Sequence, residues 1–423
     1  MIKINAPFTR SFIAGCFVFA MSGCGSSSDQ PSIQSKQALG ELLFSDKNLS
    51  LDRTQSCATC HNPEHGFVDN RINASYHSNN VAPASLGDNG VSIGDRNTPT
   101  AAYAAFSPDF KFGSRTRVKN QSAGIGNYTG FIGGQFWDGR AQDLAAQAEG
   151  PPLNPGEMNM PNKAAVLERI KENADYVRAF ETLFAADILN NADTAYDAMA
   201  EAIGEFEFND RETFYPQDSK FDASLNGDYF YDPNSKAALG KALFFGSDFT
   251  CASCHQLREI GVKGEMFTGF EYHNIGVPEN TLLRAINGAE GPDLGLFNNP
   301  IVNEKSDANN HKGKFKVPTL RNVAITAPYM HNGVFNELET VLKFYEHAKL
   351  RALQQPDVSL NPETGMAWAA PEVNENIEHD ILGKNDSNLT PENIEALVCF
   401  FMSLTDAKYE HLLDANKVTA CGI

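Results

Sequence analysis

Cys57-Ala58-Thr59-Cys60-His61 and Cys251-Ala252-Ser253-Cys254-His255 decide the reading of this chain. In a Cys-x-x-Cys-His motif the two thiols add to the vinyl groups of haem, and the adjacent histidine ligates the iron from one side. A zinc knuckle or a thioredoxin-like pair also uses Cys-x-x-Cys, but neither explains a histidine directly after each pair. The sequence therefore predicts two covalent c-type haems, held by Cys57 and Cys60 with His61, and by Cys251 and Cys254 with His255.

Working outward, the flanks of the two motifs repeat one another. Ser35-Lys36-Gln37-Ala38-Leu39-Gly40 precedes the first, and Ser235-Lys236-Ala237-Ala238-Leu239-Gly240 precedes the second. Downstream, Thr98-Pro99-Thr100 answers Val317-Pro318-Thr319, and Trp137-Asp138-Gly139 answers His331-Asn332-Gly333, with Leu144 and Leu338 at equal offsets. Helical apolar spacing runs over Lys163 to Phe184 and Thr194 to Phe208, and strand-like alternation is scarce. Thr390-Pro391-Glu392 reads as a helix start, with threonine as N-cap. The expected fold is all-α: two cytochrome c-like haem domains related by internal duplication, over residues 35–215 and 216–423. A linker rich in Asp, Pro and Gly is expected near Asn209 to Asn234.

The first 23 residues read as an export signal. Lys3 and Arg10 supply the positive region, and Ser11 to Ala20 is apolar but too short to span a bilayer. Gly23-Cys24 followed by Gly25-Ser26-Ser27-Ser28 resembles a lipoprotein signal with a tether over residues 24–34, although Met21 stands where leucine is usual. A plain secretory signal with an incidental cysteine is the alternative. Either reading puts the mature protein outside the cytoplasm, in the periplasm or at the outer membrane. The formal charge is −19, and losing Lys3 and Arg10 makes it two units more negative. That excess argues against nucleic-acid binding. It fits a basic face on a partner protein or a generic acidic surface. Cys399 and Cys421 remain, either as a disulfide that ties down the C-terminus or as one buried and one loose thiol.

The ligand opposite each histidine decides function. Pro151 follows Trp137 at the same offset as Tyr345 follows His331. Proline has no donor atom for iron, which leaves the first haem an open face. Tyrosine binds as phenolate and closes the second. Glu157 stands shortly after Pro151, and a carboxylate beside an open haem can move the proton of hydrogen peroxide between its two oxygens. Taken alone, Glu157 also reads as a solvated loop acid, and Tyr345 and Trp137 as core aromatics.

Gln135-Phe136-Trp137-Asp138-Gly139-Arg140-Ala141 with Gln147, Pro151 and Glu157-Met158 resembles the bacterial di-haem cytochrome c peroxidases. So do Val317-Pro318-Thr319-Leu320-Arg321-Asn322-Val323-Ala324 and Ala327-Pro328-Tyr329-Met330-His331-Asn332-Gly333. The resemblance implies that the first haem reacts with peroxide and the second receives electrons. It also implies that Trp137 couples the two and that Glu157 is the catalytic acid–base, with Gln147 and Pro151 beside it. It implies a calcium ion, held largely by water, with the Asn97 side chain and the Thr326 and Pro328 carbonyls as protein ligands.

Family peroxidases place methionine where Tyr345 stands. Tyrosine there resembles the MauG branch, which uses peroxide to oxidise residues of a partner protein. The insertion between Asn97 and Trp137, with Arg115, Arg117 and Lys119, departs from the compact peroxidases. It reads as a partner surface, a restriction on haem access or a tolerated surface loop. His77 follows His61 at the spacing of a removable distal ligand, but its flanks differ from that context. His65 and His347 read as surface residues, and Met330 and His331 as alternative ligands to Tyr345.

Three functions follow. The first is a peroxidase drawing electrons from a soluble cytochrome or cupredoxin. The second is a MauG-like enzyme acting on partner side chains. The third is a surface electron-transfer cytochrome without turnover. Oligomeric state is not legible.

Overall fold

The computed structural model describes residues 33–71, 82–117, 125–384 and 387–423. The signal, the tether up to residue 32, Cys24, His77 and Lys119 lie outside the described residues. Residues 33–423 form one compact unit. Among them no helix is long and apolar enough to cross a membrane.

The first half runs α1 (Lys36–Ser45), α2 (Cys57–Cys60), β1 (Lys111–Arg115), β2 (Tyr128–Ile132), α3 (Leu144–Ala148), α4 (Gly150–Leu153), α5 (Lys163–Lys171), α6 (Ala174–Leu183) and α7 (Ala192–Asn209). Then come α8 (Arg211–Phe214), α9 (Lys220–Asn226), α10 (Lys236–Phe245), α11 (Cys251–Cys254), β3 (Tyr272–His273), α12 (Thr281–Asn287) and α13 (Pro300–Asn303). The chain ends with β4 (Phe315–Lys316), α14 (Leu338–Ala352), α15 (His379–Leu382), α16 (Pro391–Met402) and α17 (Ala415–Cys421).

The repeated sequence segments take up paired geometry. Ser35 caps α1 and Ser235 caps α10, each side-chain oxygen accepting from a backbone N–H three residues on. α1 packs on α7, and α10 packs on α16. Glycine is required at both crossings. A Cβ on Gly40 would lie 1.9 Å from the Ala202 carbonyl oxygen, and one on Gly240 would lie 1.9 Å from that of Ala396. The haem-motif turns match as well: Phe67 and Phe267 both have positive φ, at 55° and 51°. The Thr100 hydroxyl donates to the Gly66 carbonyl at 2.6 Å, and that of Thr319 to the Met266 carbonyl at 2.7 Å.

A buried polar set joins the halves. Arg321 grips Asp222 through two hydrogen bonds of 2.8 and 2.9 Å. The Tyr103 hydroxyl donates to Asp406 at 2.6 Å, and the Asn322 amide donates to the other Asp406 oxygen at 2.8 Å. Such pairs fix register more than they add stability.

The run from Lys163 to Phe184 is helical, as its spacing predicts, and divides into two helices where the Asn173 side chain caps α6. Two expectations need correction. The fold is helix-rich, but not all-α: β1 pairs with β2 and β3 with β4, both antiparallel. The segment read as a linker carries α8 and α9, with Phe214 and Phe221 each 1% exposed. Their rings anchor it to the two cores, so its Asp, Pro and Gly content misled. Cys399 and Cys421 form a disulfide, with Cα atoms 5.2 Å apart, tying α17 to α16. Thr390 caps α16 through its side chain, as its sequence predicts.

Candidate active site

Each Cys-x-x-Cys-His segment folds as one short helical turn, α2 or α11, that ends at its histidine. The turn brings both thiols and the imidazole to the wall of a cavity. The first cavity, of about 610 Å³, is lined by Cys57, Cys60, His61, Trp137, Pro151 and Glu157. The second, of about 230 Å³, is lined by Cys251, Cys254, His255, Met330, His331 and Tyr345. Trp137 lines both.

The donor sets suit haem. All four motif cysteines are free of disulfides. His61 Nδ1 lies 3.2 Å from the Phe67 carbonyl oxygen, and His255 Nδ1 lies 3.2 Å from that of Phe267. The carbonyl accepts from Nδ1–H, so the ring presents Nε2 as the free ligand atom and is held in one orientation. Burial lowers the affinity of both rings for a second proton, bringing His255 down to about 4, so each imidazole is neutral as iron requires. Cavity, thiols and oriented imidazole together fit one covalent haem in each half.

At the first cavity, α4 begins with Gly150 and Pro151, and Glu157 follows on the next turn. Asp88 N–H donates to the Glu157 carbonyl at 2.8 Å and fixes the backbone. The Asn154 amide donates to the carboxylate at 2.9 Å. Burial raises the Glu157 carboxyl above its ordinary value, while Arg140 and Asn154 oppose the rise. A smaller hollow of about 360 Å³ shares Phe136, Arg140, Pro151, Asn154 and Glu157 with the main cavity. Arg140 lies over the Phe136 ring, 3.7 Å from its centroid. Gln147, on α3, lines the first cavity too.

At the second cavity, α14 presents Tyr345. Burial pushes its phenol above the ordinary value, so a cation beside the oxygen is needed to hold the phenolate. His331 lines the same cavity: its ring stacks on Phe315 at 3.6 Å, and its Nε2 lies 3.5 Å from Glu372. His347 is not a free surface residue, since its Nδ1 lies 2.7 Å from Asp357 and its ring stacks on Trp368.

Between the cavities, Trp137 Nε1 donates to the Asn97 carbonyl at 2.8 Å. The Asn97 amide meets the Pro328 carbonyl at 2.6 Å, which follows the cis Ala327–Pro328 bond and stands close in sequence to Thr326. Neither Thr326 nor Pro328 lines either haem cavity. Sequence reasoning missed Arg96, which reaches Asp138 at 2.8 Å and Asp293 through its Nη2 at 2.8 Å. Asp293 lines both cavities. The available signal was position: Arg96 adjoins Asn97, and Asp138 adjoins Trp137.

Two haem-attachment loops facing cavities that share an indole define a di-haem c-type cytochrome. The family model for di-haem cytochrome c peroxidase matches residues 34–229. The chain is 41% identical to the methylamine utilization protein MauG of Paracoccus denitrificans, over 92% of this chain and 93% of that one. It is 31% identical to the cytochrome c551 peroxidase of Pseudomonas aeruginosa, over 78% and 76% of the two chains. The crystal structure of the diheme peroxidase BthA from Burkholderia thailandensis superposes with a TM-score of 0.73 at 26% identity, covering 91% of this chain and 90% of that one. The chain belongs to the di-haem cytochrome c peroxidase and MauG family. It is a haem-dependent oxidoreductase acting on hydrogen peroxide.

Proposed function

We propose that peroxide reacts in the first cavity and that electrons arrive through the second from a soluble protein. The observation that carries this assignment is the placement of Glu157 and Pro151 in the cavity of His61, with Trp137 shared by the cavity of Tyr345. When bound, the haem pair supplies the redox-active iron that cleaves the peroxide bond and stores the two oxidising equivalents. Pro151 offers no ligand atom and leaves the outer face of the His61 site free. Glu157 takes the proton from the inner peroxide oxygen and returns it to the departing outer oxygen, which leaves as water. Two protons and two electrons complete the reduction to two waters. Asn154 holds the carboxylate in place for both transfers, and the charge of Arg140 favours its ionised form. Trp137, fixed by its bond to Asn97, links the two sites.

A second reading has Tyr345 behind it. A phenolate favours ferric over ferrous iron, whereas a thioether does the reverse. That bias, with the identity to MauG, favours oxidation of side chains on a specific partner protein over turnover of a small cytochrome. The paired caps, glycine crossings and haem turns support two cytochrome c-like domains arisen by duplication, over residues 35–215 and 216–423. The family resemblance supports a calcium ion between them, held by the Asn97 side-chain oxygen, the Thr326 and Pro328 carbonyls and water; Asn97 and Pro328 are neighbours, and turning the Asn97 amide would bring two hard oxygen donors together. The sequence of residues 1–34 supports export to the periplasm, with lipid on Cys24.

Mixing the oxidised protein with hydrogen peroxide and then with reduced small cytochrome c tests these readings. Prompt spectral change followed by fast cytochrome oxidation establishes the soluble-donor peroxidase. Prompt change with slow cytochrome oxidation establishes the partner-protein enzyme. Haem spectra indifferent to peroxide would leave only a non-catalytic electron carrier.

A further inference from the structure

The described residues of the insertion between Asn97 and Trp137 pair as β1 and β2, and Ile132 of β2 bridges to Glu271 beside β3. Phe110 and Phe131 stack at 5.2 Å and pack with Tyr272, Leu296 and Val302. The Tyr272 N–H donates to the Tyr128 hydroxyl at 3.3 Å. This part of the insertion is thereby seated on the second half of the molecule.

Its two arginines reach the second haem loop. Arg115 donates to the Ser253 carbonyl through Nη2, to the Gln256 carbonyl through Nη1 and to Glu271 through Nε. Arg117 donates to the Ser253 carbonyl through Nη1, to Glu271 through Nη2 at 2.9 Å and to the Gly126 carbonyl through Nε at 2.9 Å. Ser253 lies inside the Cys251–His255 motif. The side chains of Arg115 and Arg117 are 10% and 3% exposed, and that of Glu271 is fully buried. Nearby, Glu378 faces Lys314 at 3.3 Å and His273 at 3.5 Å. Arg115 and Arg117 thus share the one carboxylate of Glu271, and Lys314 offsets Glu378, so the groups bound to this loop leave one excess cation, with Arg115 close enough to act on His255. The first loop differs: Arg71 beside Cys60 is matched by Asp69, and Thr59 accepts from Ser56 N–H within its own turn.

We propose that Arg115 and Arg117 are positioning residues of the second haem, clamping the loop that carries His255 and holding its reduction potential up. Guanidinium stays protonated, so the charge is permanent. Burial strengthens its effect on a neighbouring iron. A cation disfavours the oxidised state, which carries one more positive charge, so it raises the potential. This opposes the effect of the Tyr345 phenolate and keeps the second site reducible by a protein donor. The proposal rests on haem at Cys251, Cys254 and His255, but not on which donor is used.

Spectroelectrochemical titration of both haems tests it apart from turnover. Arg117→Gln and Arg115→Gln should lower the midpoint potential of the second haem and leave the first unchanged. Arg117→Lys, which keeps the charge, should restore most of the shift. An unchanged potential in the Gln variants, or a fall in Arg117→Lys as large as in Arg117→Gln, would overturn the electrostatic role. If the Gln variants fail to mature with haem, Glu271→Gln gives the opposite sign: with less neutralisation of the arginines the potential should rise, and no rise would overturn the proposal.

Discussion

The indole nitrogen of Trp137 donates to the Asn97 carbonyl at 2.8 Å, and this bond holds the ring where it faces both haem cavities. The Asn97 backbone N–H in turn donates to the His331 carbonyl at 2.8 Å, so the indole is tied to the second half of the chain. Trp137→Phe keeps the ring volume near that of a core aromatic but removes this anchor and the easily oxidised indole. The expected outcome is unchanged haem content and unchanged reaction of the first haem with peroxide. Electron arrival from the second haem should slow by about tenfold or more, about 1.4 kcal/mol in barrier. Stopped-flow spectra after peroxide, followed at both haems, read the two steps separately.

Glu157 is required ionised to accept the peroxide proton. Burial raises its folded-state pKa above the ordinary carboxylate value of 4.5. The rate of peroxide reaction should therefore fall on acidification, with a midpoint above 4.5. The sign for stability is the reverse. A carboxyl raised on folding contributes stability below its unfolded value and loses it as pH rises through the folded one. Glu157→Gln should remove the acid limb of the rate profile and slow the peroxide step by about 10²–10⁴-fold with both haems retained. A pH series of single-turnover rates checks both points, and an unaltered profile in the variant would remove Glu157 from the mechanism.

Close helix crossing gives a stability prediction. A Cβ on Gly240 would sit 1.9 Å from the Ala396 carbonyl oxygen and 2.9 Å from the Phe400 Cβ. Backbone cannot yield as a flexible side chain does, so Gly240→Ala must separate α10 from α16. Overpacking of this kind costs about 1–3 kcal/mol. Chemical denaturation should show that loss in Gly240→Ala, while Gly126→Ala, whose added Cβ meets nothing within 4 Å and whose φ is not positive, should show little.

How much of this was legible in the sequence depends on range. The haem motifs and the offsets of Pro151 and Tyr345 are local signals that the chain wrote twice, and the Thr390 cap is a local signal of its own. The role of Arg115 and Arg117 was not legible, because their partners Ser253 and Glu271 are far away in sequence. A five-residue strand such as Lys111–Arg115 also lacks a strong apolar alternation. Phe214 and Phe221 were hidden for a different reason: polar, turn-forming neighbours surround residues whose rings are buried. Asp293 required the cavities themselves, since only the packed chain shows that it faces both.

Tyr345 carries the last test. It lines the second cavity with His255, and no hydrogen-bond partner is seen for its hydroxyl among the described residues. Burial alone favours the neutral phenol, so a phenolate there depends on the positive charge of an adjacent ferric iron. Tyr345→Met exchanges an anionic oxygen for a neutral sulfur. Sulfur stabilises the ferrous state, so the second midpoint potential should rise and its visible spectrum should change, while the first haem keeps both. Donor preference should move with it: a more reducible second haem accepts electrons from a small cytochrome faster, and a partner-oxidising activity weakens. Potentiometry with spectra of each haem, followed by cytochrome oxidation under peroxide, measures the two effects in one preparation. A potential and spectrum identical to the parent would show that Tyr345 does not ligate iron, and the preference for a partner-protein substrate would lose its chemical basis.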